Sequence, residues 1–284
     1  MTAVLTRARV ARRRVVMPGA WRGAAVRAGV GALLVLWILA PLLPPALWSV
    51  ADTWQAPAVL PDGYSGTAFT VLLQPGTVRA ALTSLLLGGC VALVATPLGL
   101  LGALAARALP GRRGRAVDLI LLAPLAIPPF ALVMGVNVTL LRLHVPAFAG
   151  VALILVVTAL PYTSFMFRSA LTAYEGRFDD VARTLGAAPH QILRHVRSPL
   201  LAAATTRAFF LAFLVGWGDY ITTLLAGGGR LSTLPTLLGA AASSPGSEQL
   251  TAVLSLGVVI PPLVVLAALA LPTVMGSLSR REGP

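Results

Sequence analysis

Few residues in this chain are equipped for chemistry. It holds nine acidic side chains, three histidines and one cysteine in 284 residues. His144, His190 and His195 are too scattered to share a metal ion, and Cys90 has no partner thiol. No nucleophile–base pair is visible, so the expected catalytic and metal sets are both empty. A nucleotide site would need Gly-x-x-x-x-Gly-Lys-Ser/Thr, which is absent; Gly227-Gly228-Gly229 lacks the lysine. No cofactor is expected on this chain. What remains is Asp219, the one acid within the apolar length of its segment. A charge at mid-membrane costs about 2.5–3.5 kcal/mol on insertion scales, less near the interface. Such a carboxylate has two readings. It attracts cations as an outer gate on a pathway, or it partners an arginine, a tyrosine or backbone groups. Tyr220, Asn137 and Thr222 are candidates to line the same path, with Thr139 and Thr223 beside them, although hydroxyls also satisfy kinked backbone.

The elements that must position these residues are membrane helices. The chain is 57% hydrophobic and 11% charged, with a mean hydropathy of +0.86. A soluble domain carries about 25% charged residues. Six apolar runs, at roughly 26–50, 78–106, 116–140, 149–172, 200–225 and 250–275, are each long enough to cross a ~30 Å hydrocarbon layer. Backbone groups in lipid must pair within their own segment, which dictates helices. Segments of about 10 residues with alternating polarity, the mark of a membrane β-barrel, are missing. Prolines recur inside the runs: Pro97, Pro124, Pro128, Pro129, Pro161, Pro261 and Pro262. They fit either a kinked bundle lining a pathway or the ordinary proline content of membrane helices.

All 22 basic residues are arginine, and the net charge is +13. They flank apolar runs instead of forming one basic domain, which points to anchoring near anionic lipid and away from nucleic acid. Arg7, Arg9, Arg12, Arg13, Arg14, Arg22 and Arg27 precede the first run. Arg107, Arg112, Arg113 and Arg115 follow the second. Arg168, Arg177, Arg183, Arg194, Arg197 and Arg207 surround the loop between the fourth and fifth, and Arg280 and Arg281 close the chain. Only Arg79, Arg142 and Arg230 fall on the other side. The positive-inside rule then expects both termini in the cytoplasm. Arg12-Arg13-Arg14 faintly resembles a twin-arginine signal, but the following apolar run is too long for one and no cleavage is expected.

The best-patterned polar stretch lies between the fourth and fifth runs. Asp179 and Asp180 place negative charge at the start of a short helix. Phe178, Val181, Ala182 and Leu185 form its apolar face, and Gly186 suits its C-terminal end. Pro189 fits the first turn of a second helix with Ile192, Leu193 and Val196 on one stripe, and Pro199 ends the loop. From these residues alone, the device is either a lipid-hugging amphipathic hairpin or a knob that docks into another protein.

The stretch resembles the EAA loop of binding-protein-dependent ABC importer permeases. Asp180-Val181-Ala182 fills the triplet, Gly186 lies at the required offset, and Val196 and Pro199 close the motif, with Ser198 where leucine is usual. Aspartate for glutamate, valine for alanine and serine for leucine are departures that bear on fine docking. The resemblance covers roughly residues 78–275. It implies an all-α membrane protein with the type I importer (MetI-like) permease fold: six transmembrane helices and a cytoplasmic coupling helix between the fourth and fifth. It also implies a cytoplasmic ABC ATPase dimer that hydrolyses the ATP, a second permease (identical or homologous), and an extracellular or periplasmic solute-binding protein. Asp180, Val181, Ala182, Leu185, Gly186, Ile192, Val196 and Pro199 would be the ATPase-coupling residues. The expected organisation is an Arg-rich cytoplasmic segment (1–25), a first span with an external loop (26–77), a permease core (78–275, coupling loop at about 174–199) and a cytoplasmic tail (276–284). The setting implied is a bacterial plasma membrane.

The stretch from Gly216 to Leu238, with Asp219-Tyr220 and Thr233-Leu234-Pro235, resembles permeases of the polyamine, thiamine and ferric-iron group. Sugar-importer permeases are the next most similar. A membrane scaffold or intramembrane enzyme with a lipid-binding loop is the alternative from another class, although intramembrane enzymes usually show several polar residues inside their spans.

Overall fold

The structure, a computed structural model, describes residues 20–52, 54, 58, 60–173 and 177–279. Most of the Arg-rich N-terminal segment and the last residues of the tail lie outside them. Two compact units are present, one ending at Pro44 and the other starting at Pro45. Among the described residues the secondary structure is helical, apart from one isolated antiparallel bridge between Ala51 and Tyr64.

In chain order the helices are α1 (Ala20–Leu39), α2 (Leu43–Val50), α3 (Pro75–Ala108), α4 (Arg112–Ala126), α5 (Pro129–Arg142), α6 (Ala147–Ala173), α7 (Arg177–Thr184), α8 (Pro189–Ile192), α9 (Ser198–Trp217), α10 (Ile221–Gly227), α11 (Leu234–Ala242) and α12 (Glu248–Ser279). Among the described residues, five stretches are long and apolar enough to cross a membrane, and a sixth results if α4 and α5 count as one bent span.

The second unit is built on α3, α6 and α9, which pack along most of their lengths. One layer of their core holds Leu87, Val91, Ala95, Val151, Leu155, Ala159 and Ala212; a second holds Ala103, Phe167, Leu171, Ala204 and Ala208. Small residues set the spacing. A Cβ on Gly99 would lie 2.2 Å from Thr163 Oγ1 and 2.9 Å from the Ser164 nitrogen, so only glycine permits this crossing of α3 and α6. Lipid supplies no hydrophobic drive between helices, and close packing of this kind does that work.

The second, fourth and sixth runs form single helices close to the expected bounds, and the third and fifth depart. The third, expected as one helix over 116–140, is broken into α4 and α5, which meet at 101°. Two consecutive prolines explain the break. A proline drives the residue before it out of the helical region. Ile127 precedes Pro128, which precedes Pro129, and both adopt extended backbone (ψ 125° and 131°). The fifth run ends at Trp217, and Gly218–Tyr220 separates α9 from the short α10. At its other end α9 is not set off from the loop: a five-residue π-type turn, Leu193–Arg197, joins it to α8. Pro199 offers no N–H to the carbonyl four residues earlier, and a widened turn accommodates its ring.

The sixth run stays helical through Pro261 and Pro262. Pro262 leaves the Val258 carbonyl without its helical donor. Trp217 of α9 fills the vacancy, its Nε1 donating to Val258 O at 2.9 Å. The α11 start is tied to α3 in a similar way, since the Leu234 N–H donates to the buried Ser84 Oγ at 2.9 Å.

Candidate coupling segment and pathway residues

Helix α7 closes in a complete Schellman motif. The Ala187 N–H donates to Ala182 O at 3.0 Å, and the Gly186 N–H donates to Arg183 O at 2.9 Å. Gly186 sits at φ +80°, in the left-handed region where a Cβ is disfavoured. The next helix is capped from its own third position, where Gln191 Oε1 accepts the Ala188 N–H at 2.8 Å. The bend is thus fixed from both sides.

The expected coupling residues divide by exposure. Leu185 is 81% exposed and Val181 57%; Val181 lies on α7 with Phe178, and Leu185 directly follows the helix, its N–H donating to Val181 O. Asp180 and Pro199 are exposed, Ala182 and Val196 half-buried. Ile192 differs: it is 4% exposed and belongs to the interior of the chain. It anchors the segment from behind while Val181 and Leu185 face outward.

The candidate pathway residues are not gathered in one place. The Asp219 carboxylate is engaged: Oδ2 accepts the Thr223 N–H at 2.7 Å and its hydroxyl at 2.9 Å, and Oδ1 accepts the Thr222 N–H at 3.3 Å. It caps α10, binding donors that the first turn of a helix cannot satisfy internally. Thr222 and Thr223 are buried beneath it. The Tyr220 ring lies against Gly239 of α11. Asn137 lies elsewhere, in a cavity of about 220 Å³ with His144 and Arg230. Thr139 is exposed on α5 and is not among the residues lining that cavity.

One charged cluster has no counterpart in the sequence reading. Asp118 of α4 and Arg168 of α6 approach to 2.9 Å, as a contact of charges without an aligned hydrogen bond. Arg107 of α3 donates to the Leu171 carbonyl beside them. The three line a cavity of about 400 Å³ near the end of α6 that leads to α7. The partners are far apart in sequence, and only the packing of α3, α4 and α6 unites them.

Residues 98–279 match the family described as the binding-protein-dependent transport system inner membrane component. The chain belongs to that family. It is the permease subunit of an ABC importer, a multi-pass protein of the bacterial inner membrane. Among curated proteins, the permease is 25% identical over 209 residues to PhnV of Salmonella typhimurium, named as a 2-aminoethylphosphonate transport system permease; the match covers 72% of this chain and 78% of that one. It is 26% identical over 216 residues to the spermidine/putrescine transport system permease PotC of Haemophilus influenzae, covering 73% and 82%. It is also 25% identical over 188 residues to the ferric transport system permease FbpB of Actinobacillus pleuropneumoniae, covering 58% and 27%. Among solved structures, it resembles a bacterial ABC transporter involved in import of the acidic polysaccharide alginate, with a TM-score of 0.59, 15% identity and coverage of 93% and 99%. That likeness concerns the fold. These relatives are transport permeases.

Proposed function

We propose that this permease receives the work of ATP hydrolysis through α7 and the turn at Gly186, docked against a cytoplasmic ABC ATPase dimer. The carrying observation is the pairing of an outward apolar face with a rigid base. Val181 and Leu185 project from a helix whose end is locked by the Schellman turn, and buried Ile192 fastens that turn to the chain. Exposed Asp180 and half-buried Ala182 complete the motif, while Val196 and Pro199 lead it into α9. A knob of this kind transmits a push because α8, the π-type turn and α9 are continuous.

In this reading the chain binds no nucleotide or cofactor and performs no catalysis of its own. The ATPase hydrolyses ATP, a second permease (a copy or a homologue) completes the pathway, and a solute-binding protein delivers cargo on the opposite side. The exposed apolar residues of α3 and α12, such as Leu86, Leu93 and Val264, supply surface for lipid and for the second permease. Cargo is a small charged solute, the class that spans the phosphonate, polyamine and ferric permeases it resembles.

Two substitutions test the docking. Leu185→Glu changes only an exposed side chain, so it should leave membrane abundance unchanged while lowering ATPase co-purification at least about tenfold, as expected when an interface anchor is lost. Gly186→Val places a β-branched residue at positive φ, which costs about 1–3 kcal/mol locally and displaces the knob. Uptake should fall while ATP hydrolysis becomes independent of the binding protein. Full co-purification of the Leu185→Glu permease with its ATPase would remove the proposal.

A further inference from the structure

The cavity shared by Asn137, His144 and Arg230 has a chemistry of its own. It opens where α5 ends, α6 begins and α10 turns back through Gly228 and Gly229. Its polar lining is Asn137, His144 and Arg230, set against Pro146 and Ala226, with no carboxylate among the described residues that line it. Among the described residues, none of the three polar side chains makes a hydrogen bond or ion pair within the chain. The larger cavity at the other end of α6 is different, because there Arg168 faces Asp118 and Arg107 is engaged with Leu171 O.

The position of His144 adds an independent observation. Helix α5 ends in a Schellman motif, with the Val145 N–H donating to Leu140 O at 3.0 Å and the His144 N–H donating to Leu141 O at 3.1 Å. The left-handed position of that motif belongs to glycine in most helices. Here it holds His144 at φ +54°, the one positive φ outside glycine among the described residues. Glycine would relieve the backbone. Histidine places an imidazole donor in the cavity instead, and an outlier of this kind points toward function.

We infer that this cavity is a binding site for the oxyanion of a small solute, a carboxylate, phosphate or phosphonate group. The Arg230 guanidinium offers a planar set of donors matched to two such oxygens, and the Asn137 amide and His144 ring offer further N–H groups. Its volume of about 220 Å³ suits a compact anionic group. Helix α6 starts here and ends 27 residues later beside the coupling segment, a distance of about 40 Å. The site therefore stands at the end of the core opposite the coupling segment, where cargo would enter if the chain works as proposed above. It deepens that reading by assigning an anionic group to the cargo.

The test uses the purified full-length permease in maltoside micelles, with inorganic phosphate as the probe and 31P line broadening as the readout. Wild type should broaden the phosphate signal, and acetate should compete. Arg230→Gln should weaken binding at least about tenfold, the loss expected for hydrogen bonds to a charged group. His144→Gly should weaken it about threefold or more while raising the thermal midpoint, so its loss of binding cannot be ascribed to misfolding. Phosphate left sharp by wild type, or broadened equally by Arg230→Gln, overturns the inference. Displacement of phosphate by one equivalent of phosphatidylglycerol also overturns it, by assigning the cavity to a lipid headgroup. The measurement needs neither ATPase nor binding protein, so its failure leaves the coupling proposal standing. Failure of the Leu185→Glu test leaves this titration standing.

Discussion

Asp219 shows how a single residue changes meaning once its neighbours are placed. Three donors, two from backbone and one from a hydroxyl, point at its two oxygens. A carboxylate in that state is organised to hold the first turn of α10. Asp219→Asn keeps one acceptor for the two Thr223 donors but turns an NH2 toward the Thr222 N–H. The expected cost is about 1–2 kcal/mol, that of a weakened cap. Thermal midpoint and membrane abundance should drop together, with uptake falling only in proportion. Thr223→Val removes the hydroxyl bond while sparing both backbone bonds, and should show the same pattern at smaller size. Normal abundance with abolished uptake in Asp219→Asn would assign Asp219 a role on the pathway.

At the scale of elements, breaks in helices are met by side chains from other helices. The clearest case is α12, where Pro262 strips the Val258 carbonyl of its donor and Trp217 supplies one. Trp217→Phe preserves the ring packing and deletes the donor, leaving a carbonyl unpaired in apolar surroundings. That should cost about 1–3 kcal/mol, read as a lower thermal midpoint, whereas Trp217→His, which can donate from its ring, should recover part of it. Legibility divides along the same line. Local features could be read: Gly186 at the end of α7, the helical runs, even the spacing of Asp219 to Thr222 and Thr223, which is a capping spacing once a break is allowed. The proline doublet at 128–129 suggested a kink, but two successive extended residues make a right-angle break, and that follows only from applying the proline rule twice. Contacts such as Ser84 with Leu234 or Asp118 with Arg168 depend on which helices become neighbours, and nothing in their own spacing encodes it.

For the whole molecule, two ends of the permease core acquire distinct chemistry. Helix α6 runs from the cavity at Asn137, His144 and Arg230 to the segment that continues into α7. Helix α9 starts from the coupling segment and ends at Trp217, so α10, α11 and the start of α12 lie toward the cavity end. Arginine counts give the expected orientation of the core: the loop around α7 carries many, and the cavity end few. If the coupling end is cytoplasmic, Ser244 between α11 and α12 faces outward and Gln191 faces inward. Both side chains are exposed, so accessibility within the protein does not confound the comparison. In a Cys90→Ala background, Ser244→Cys should react with a membrane-impermeant maleimide added to sealed cells, and Gln191→Cys should react only after the membrane is opened. Both positions labelling after opening verifies that each thiol is reachable. Labelling of Gln191→Cys in sealed cells would place α7 on the outer face, out of reach of any cytoplasmic ATPase. The anion cavity would then face the cytoplasm, and its proposed role at the entry of an importer would fall with the coupling role.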